Sequence, residues 1–235
     1  MREDVLGGLR VRITGGTDRD GGGKGPVIVL LHGFGAPGDD LVSLWRTLRV
    51  PEGTRFVFPE APVELGPGYM GGRAWWMIDI GALERAVQRG EVRDLSNDTP
   101  PGREAARTSV VKMLQELDVK LTPSRLVLGG FSQGAMLSCD VALRADIKLD
   151  GLVLLSGTLI AAREWAPLMA KRSGLRVLQS HGREDPLLPF SIAERLRDEL
   201  RAANIDVQWV PFTGGHAIPP KVLEELGEFL GNVLS

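Results

Sequence analysis

The sequence predicts an α/β fold with a mostly parallel central sheet and helices on both faces. Short apolar runs of strand length alternate with segments that repeat apolar residues at helical spacing. Several runs, such as residues 26–31 and 151–156, are apolar almost throughout, as expected for strands covered by helices on both faces. Of the 235 residues, 43% are hydrophobic and 25% are charged. These values are typical of a globular protein, and we expect a single domain over residues 1–235.

The individual elements are predicted from these patterns in chain order. Residues 9–13 ("LRVRI") predict an edge strand, and residues 14–25 a polar loop. Residues 60–102 are rich in proline and glycine, and a long excursion of this kind often borders a binding site. Residues 157–174 are too few to form a large cap domain. The other strands are expected at 26–31, 55–59, 125–130, 151–156, 175–180 and 207–212, and helices at 39–49, 103–117, 190–203 and 220–234.

Charge and composition argue against several classes of protein. The net charge is −2, whereas nucleic-acid-binding proteins usually carry a clear excess of basic residues. No apolar run approaches the roughly 20 residues that span a bilayer, so we expect no stable membrane insertion. Cys139 is the only cysteine, and the N-terminus has no signal-peptide pattern, so we expect a cytoplasmic protein. We expect it to be a monomer or a homodimer. Lys24 is followed by Gly25 in a loop that precedes a strand, which is the wrong context for a phosphate-binding loop.

The stretch "GGFSQG" at residues 129–134 places one serine between a predicted buried strand and a predicted helix. A sharp strand–turn–helix exposes the hydroxyl of Ser132, and the small Gly130 and Gly134 avoid collisions on either side. The free N–H groups at the start of the helix favour an oxyanion beside the serine. The alternative is an ordinary helix N-cap serine. The strand–turn–helix context favours a nucleophile.

A serine nucleophile needs a base, and the base needs an orienting acid. His216 follows the strand predicted at 207–212, and Asp185 follows the strand at 175–180, so both fall at the same sheet edge as Ser132. The other two histidines, His32 and His181, also end strands. We interpret them as turn-forming residues whose rings bond to nearby backbone. The three histidines lack the spacing and carboxylates of a metal site, and we expect neither metal nor cofactor.

The oxyanion of such a reaction needs two N–H donors. One should be the backbone N–H of Gln133, directly after the nucleophile, and the other should come from the loop after the strand at 26–31. Phe34 is the candidate there, because its flanking glycines let the backbone turn toward the site.

Four stretches, "LLHGFGAPGDD", "RAWWMID", "LGGFSQGAM" and "HGREDPLLPF", together with "GGHAIP", resemble the carboxylesterase and acyl-protein thioesterase (phospholipase/carboxylesterase) family of α/β-hydrolases. The likeness runs from about residue 26 to the end of the chain. The resemblance implies an α/β-hydrolase fold without a large cap domain. It implies Ser132 as nucleophile, Asp185 and His216 as its partners, and the loop with Phe34 as second oxyanion donor. One departure is that Met77 and Ile78 separate Trp76 from Asp79, where the family usually has a shorter W-F-D or W-Y-D element.

The function predicted from these observations is that of a serine carboxylesterase that hydrolyses short-chain carboxylic esters through an acyl-enzyme on Ser132. An acyl-protein thioesterase or a lysophospholipase is the alternative among enzymes, so the substrate partner is a small-molecule ester or thioester. A non-catalytic binding module on the same fold is the alternative from another class. The residues expected to line a shallow acyl cleft near Phe34 are Trp75, Trp76, Leu159 and Leu188. The alternative for the two tryptophans is that both only pin their loop to the core.

Overall fold

The computed structural model describes residues 1–91 and 93–235, which form eleven β-strands and seven α-helices. Two short 3₁₀ helices lie at Pro67–Tyr69 and Ala170–Arg172. The strands are β1 Arg2–Leu6, β2 Leu9–Gly16, β3 Asp20–Gly22, β4 Val27–Leu31, β5 Arg55–Pro59, β6 Val63–Glu64, β7 Arg73–Ala74, β8 Leu126–Phe131, β9 Gly151–Leu155, β10 Arg176–Gly182 and β11 Asp206–Phe212; the helices are α1 Leu44–Thr47, α2 Ile80–Gln88, α3 Arg103–Leu121, α4 Gln133–Arg144, α5 Ala162–Met169, α6 Phe190–Ala202 and α7 Pro220–Leu234.

The central sheet follows the order β1-β2-β5-β4-β8-β9-β10-β11, with β3 paired to β2. The pairs from β5 through β11 are parallel, whereas β1 pairs with β2 and β2 with β5 antiparallel. Every residue of β4, β5 and β9 is buried, as expected for strands covered on both faces. The expected fold class is therefore confirmed.

The helices divide between the two faces of the sheet. Apolar residues of α3, α4, α5 and α6 pack into one core cluster, and those of α1 and α7 pack into a second cluster on the other face. The segment between β9 and β10 holds α5 and a short 3₁₀ helix, which agrees with the expectation that no large cap is inserted there.

The structure corrects two details of the predicted elements. The strand at residues 9–13 is not an edge strand, because β1 covers it with an antiparallel register from Arg2↔Ile13 to Leu6↔Leu9. The helix expected at 39–49 is α-helical over Leu44–Thr47 alone. The excursion at 60–102 contains a small β6–β7 hairpin and α2. Within the described ranges, no helix has both the length and the apolar character needed to cross a membrane.

Candidate active site

The candidate functional residues lie at the carboxyl edge of the central sheet, where parallel α/β sheets bind ligands. Ser132 directly follows β8, while Asp185 and His216 lie in the loops after β10 and β11. Phe34 lies in the loop after β4, which is the neighbour of β8 in the sheet. The parallel order of these strands therefore gathers four distant segments of the chain at one edge.

Ser132 has the backbone conformation of a strained turn, with φ 56° and ψ −117°. A positive φ is rare for a residue with a side chain, and the surrounding hydrogen bonds hold it there. Its N–H donates to the Leu155 oxygen at 2.8 Å, and its own carbonyl accepts from the Met136 N–H at 3.1 Å. The Ser132 side chain makes no capping hydrogen bond to α4, so the interpretation as an ordinary N-cap serine is not supported.

The two flanking glycines are required by close backbone contacts. A Cβ at Gly134 would collide with the Leu31 carbonyl and lie 2.7 Å from the His32 oxygen. A Cβ at Gly130 would lie 2.6 Å from the carbonyl carbon of Gly134. The turn at Ser132 is therefore pressed directly against the end of β4, with no room for a side chain at either glycine.

Asp185 and His216 form a short hydrogen bond of 2.7 Å between Oδ2 and Nδ1. The other carboxylate oxygen of Asp185 accepts the N–H groups of Leu187 at 2.9 Å and Leu188 at 3.0 Å. Burial by itself raises the pKa of Asp185, but the hydrogen bonds and the charge interaction with His216 outweigh it and leave that pKa below its ordinary value. The carboxylate is therefore ionised at neutral pH and oriented to accept a hydrogen bond from Nδ1–H of His216.

The ring of His216 packs against the ring of Phe131, the residue directly before Ser132, with centroids 4.8 Å apart. The loop is also held by the Ser156 hydroxyl, which donates to the Ala217 oxygen at 3.1 Å. In the described residues, no hydrogen bond joins the Ser132 hydroxyl to His216, and such bonds are often long before substrate binds. The packing on Phe131 nevertheless brings the imidazole next to the turn that carries Ser132.

The remaining two histidines use their rings in hydrogen bonds to the backbone. His32 contacts the Gly33 oxygen through Nδ1 at 2.8 Å and the Ala61 nitrogen through Nε2 at 3.1 Å. His181 contacts the Leu188 oxygen through Nε2 at 2.8 Å. These contacts are the backbone bonds that the sequence interpretation expected of both rings.

His181 has a further contact that sequence reasoning missed. Its Nε2 also lies 3.3 Å from Oδ2 of Asp185, the same oxygen that bonds to His216. Burial lowers the pKa of His181, so the ring is neutral, and the Nε2–H that donates to the Leu188 oxygen lies beside the Asp185 carboxylate. The residues are four apart at the end of β10, and that spacing beside an Asp-Pro turn is the only sequence signal of the contact.

Phe34 and Gln133 each present a backbone N–H with no backbone acceptor in the part of the chain that the structure describes. Gln133 is the first residue of α4, where the first four N–H groups have no partner within the helix. Gly33, which precedes Phe34, comes close to the turn: a Cβ at Gly33 would lie 3.4 Å from the Cβ of Ser132. Both N–H groups are thus available beside Ser132.

The side chain of Gln133 has a role that the sequence did not suggest. It is fully buried; its Oε1 accepts from the Trp75 N–H at 2.9 Å and its Nε2 donates to the Trp76 oxygen at 2.8 Å. The amide therefore fastens the tryptophan segment of the 60–102 excursion to the start of α4. The indole Nε1–H of Trp75 donates in turn to the His32 oxygen at 2.9 Å.

A cavity of about 450 Å³ opens beside the first turn of α4. Trp76 lines it, together with Met136, which is one helical turn beyond Ser132 and thus about 6 Å along the axis. Trp75 is buried behind this wall, and neither Leu159 nor Leu188, both buried, lines the cavity, so contact of these three with substrate stays a prediction. The other lining residues are Met77, Ile78, Asp79, Arg93, Leu95, Asn97, Asp98, Thr99, Pro100, Pro101 and Ile160.

A wider surface hollow of about 600 Å³ lies between α5 and α6. None of the candidate functional residues lines it, and it is more open to solvent than the cavity beside α4. Proximity to Ser132 therefore makes the smaller cavity the better candidate for a substrate site.

Comparison with curated proteins finds relatives named acyl-protein thioesterase 1. The one from Gibberella zeae is 30% identical over 212 residues, which cover 86% of this chain and 88% of that protein. The one from Saccharomyces cerevisiae is 29% identical over 226 residues, which cover 88% of this chain and 92% of that protein.

Solved structures give the same fold. The crystal structure of esterase PE8 matches with a TM-score of 0.78 and 29% identity, covering 96% of this chain and 99% of that chain. Zea mays acyl-protein thioesterase 2 matches with a TM-score of 0.69 and 25% identity, covering 96% of this chain and 99% of that chain.

The family model described as phospholipase/carboxylesterase matches residues 21–234, nearly the whole length. The resemblance drawn from the motifs around Ser132, Asp185 and His216 is thereby confirmed at the level of the family. The chain belongs to the phospholipase/carboxylesterase family of α/β-hydrolases and is a hydrolase of the esterase and thioesterase class.

Proposed function

We propose that the chain hydrolyses carboxylic esters and thioesters, with Ser132 as nucleophile, His216 as general base and Asp185 as the acid that orients the imidazole. The observation that carries the proposal is the 2.7 Å hydrogen bond between Asp185 and His216, formed beside the strained turn of Ser132. The bond leaves Nε2 of His216 as the nitrogen free to accept a proton, as a base for a serine requires.

In the proposed reaction the Ser132 oxygen attacks the substrate carbonyl carbon while its proton passes to Nε2 of His216. The carbonyl oxygen becomes an oxyanion, which accepts hydrogen bonds from the backbone N–H groups of Phe34 and Gln133. The protonated imidazole, stabilised by Asp185, then gives its proton to the leaving alkoxide or thiolate, and the acyl group stays on Ser132. Water activated by His216 releases the acid in a second, equivalent cycle.

The cavity beside α4 is the proposed acyl site, with Trp76 and Met136 as its nearest apolar walls. Each methylene that it buries contributes at most about 0.8 kcal/mol, and only while unfilled length remains. Chain-length preference therefore depends on how far the acyl chain can enter this cavity.

Two candidates differ in that preference. A short-chain carboxylesterase, with an optimum at roughly four to six acyl carbons, is the prediction from a shallow cleft. An acyl-protein thioesterase or lysophospholipase would accept long chains, and the names of the relatives favour the thioesterase. A cytoplasmic location, a single domain over residues 1–235 and a monomeric or homodimeric state stay predictions.

The test measures kcat/KM for a series of aryl esters and matching thioesters whose acyl groups run from acetyl to palmitoyl. We expect Ser132→Ala to lose at least about 10³-fold, because the members of a catalytic triad act as a unit. Ser138→Ala is the control from the same helix, since the Ser138 hydroxyl is buried and only bonds to the Gly134 oxygen. Trp76→Ala should move the optimum toward longer chains by removing a cavity wall.

The outcomes separate the alternatives. A Ser132→Ala variant that keeps most of its turnover would overturn the nucleophile. Wild-type protein without turnover of any ester or thioester would favour the non-catalytic binding module. A wild-type maximum at palmitoyl would reject the short-chain candidate and keep the thioesterase or lysophospholipase.

A further inference from the structure

We propose that Trp75 is a positioning residue, which holds the oxyanion loop (residues 32–34) so that the Phe34 N–H points into the site. The inference rests on the proposed function and concerns how its oxyanion donor is held. Trp75 is 1% exposed and does not line the cavity beside α4, so in this proposal its ring acts on catalysis through its neighbours and not by touching substrate.

The first peptide plane of the loop is held by the indole. Nε1–H of Trp75 donates to the His32 carbonyl oxygen at 2.9 Å. Because a peptide unit is planar, a fixed His32 carbonyl also fixes the direction of the Gly33 N–H in the same plane. The imidazole ring of His32 lies against the indole of Trp75 with ring centroids 5.6 Å apart, and this contact restricts rotation of the indole.

The second peptide plane is held by the imidazole. Nε2 of His32 faces the N–H of Ala61 at 3.1 Å and must accept from it, so the ring proton sits on Nδ1. Nδ1–H then donates to the Gly33 oxygen at 2.8 Å. In a trans peptide the carbonyl and the next N–H point in opposite directions, so this bond sets the direction of the Phe34 N–H.

Trp75 is itself tied to the second proposed donor. The buried side chain of Gln133 accepts from the Trp75 N–H and donates to the Trp76 oxygen. The backbone N–H of the same Gln133 is the other proposed oxyanion donor. A continuous chain of hydrogen bonds therefore runs from one donor, through Trp75 and His32, to the other, and fixes the spacing between them.

Loss of the indole N–H would leave the His32 carbonyl without that donor and free the first peptide plane to tilt. Removing an oxyanion donor altogether costs roughly 10²- to 10³-fold in kcat. A donor that is present but misdirected should cost less, so we expect a decrease of about 10- to 100-fold in kcat for Trp75→Phe. The value of KM should change by less than about threefold, because the ring does not touch substrate.

The matched control is Trp165→Phe. Trp165 is also buried, and its Nε1–H makes one hydrogen bond, to Oδ1 of Asp140 at 2.7 Å, away from the oxyanion loop. Both variants remove one buried indole donor and the same ring volume. A purely structural role predicts that Trp165→Phe, whose lost bond is to a buried carboxylate, destabilises the protein at least as much as Trp75→Phe, and that neither variant loses much kcat.

The experiment measures kcat, KM and the inhibition constant of an aliphatic trifluoromethyl ketone, whose adduct with a serine carries an oxyanion. We expect the inhibition constant of Trp75→Phe to rise in parallel with its loss of kcat/KM, while Trp165→Phe stays within about threefold of wild type for both. Equal kinetics and inhibition for the two variants would overturn the inference. So would a Trp75→Phe variant whose KM rises while its kcat does not fall.

A second variant covers the case in which Trp75→Phe does not fold. Incorporation of 3-benzothienylalanine at position 75 keeps the bicyclic shape and replaces the N–H with sulfur, so packing is retained. The same loss of kcat is expected, and wild-type kinetics would overturn the inference. A wild-type protein that neither turns over esters nor reacts with a fluorophosphonate would overturn the proposed function, and this inference with it. An active wild-type protein whose kcat does not change when position 75 is substituted would overturn this inference alone.

Discussion

Gly134→Ala should separate the nucleophile turn from the oxyanion loop by a distance that the structure gives. The added Cβ would lie 2.5 Å from the carbonyl carbon of Leu31 and 2.7 Å from the oxygen of His32. The Leu31 oxygen is closer still, and ordinary contact begins at about 3.4 Å, so the backbone at Leu31 and His32 must retreat by more than about 1 Å or α4 must shift by as much. Gly134 does not have a positive φ, so an alanine meets no backbone strain and the collision alone is tested.

The expected magnitude follows from that displacement. A misplacement of about 1 Å at reacting groups can cost about 10²-fold in rate, and overpacking of this kind costs about 1–3 kcal/mol in stability. We therefore expect kcat/KM to fall by about 10²-fold while the free energy of unfolding falls by only a few kcal/mol. A protein of ordinary stability should remain folded at room temperature after such a loss.

The assay combines esterase kinetics with urea unfolding followed by circular dichroism. Gly231→Ala is the control, because a Cβ at this glycine of α7 meets nothing within 4 Å. Alanine there should stabilise the helix by up to about 1 kcal/mol and leave the kinetics unchanged. Folded Gly134→Ala protein with activity within twofold of wild type would refute the reasoning that contact between turn and loop sets the geometry of the site.

Two further predictions concern buried groups. Burial lowers the pKa of both His32 and His181, so in the unfolded chain these rings take up protons at a higher pH than in the folded protein. The free energy of unfolding should therefore fall as the pH drops below about 6.5, by at most about 1.4 kcal/mol per pH unit for each ring. The measurement uses the His216→Asn variant, in which His32 and His181 are the two remaining histidines. A free energy of unfolding that stays constant between pH 7.5 and 5.5 would contradict this prediction. Burial raises the pKa of the Cys139 thiol, so Cys139→Ala should keep its esterase activity, and rapid inactivation of folded wild type by a small thiol reagent would contradict that expectation.

The sequence predicted best what depends on local pattern. The buried strands β4, β5, β8 and β9 could be predicted because short apolar runs rich in Val, Leu and Phe, bounded by Gly, Pro or polar residues, are typical of strands covered on both faces. The candidate site followed from the same source, since Ser132 directly follows β8, Asp185 and His216 lie in the loops after β10 and β11, and parallel strands end at a common edge.

The features that were missed depend on contacts between distant segments. β1 has the sequence "REDVL" with an exposed, polar face, so its alternation gave no sign that it covers β2. The bonds from Gln133 to the tryptophan segment join residues 57 and 58 positions apart, and no local pattern encodes them. The contact of His181 with Asp185 was missed because the Asp-Pro turn between β10 and α6 decides which way the carboxylate faces.

The central claim, that Ser132 is an activated nucleophile, is tested most directly by covalent labelling with a fluorophosphonate. Intact-mass measurement of wild-type protein should show one phosphonyl adduct per chain, and peptide mapping should locate it on Ser132, with esterase activity lost in proportion to labelling. The His216→Asn variant should label far more slowly, because the serine then lacks its base. An adduct on another residue, or esterase activity that survives stoichiometric labelling of Ser132, would contradict the account.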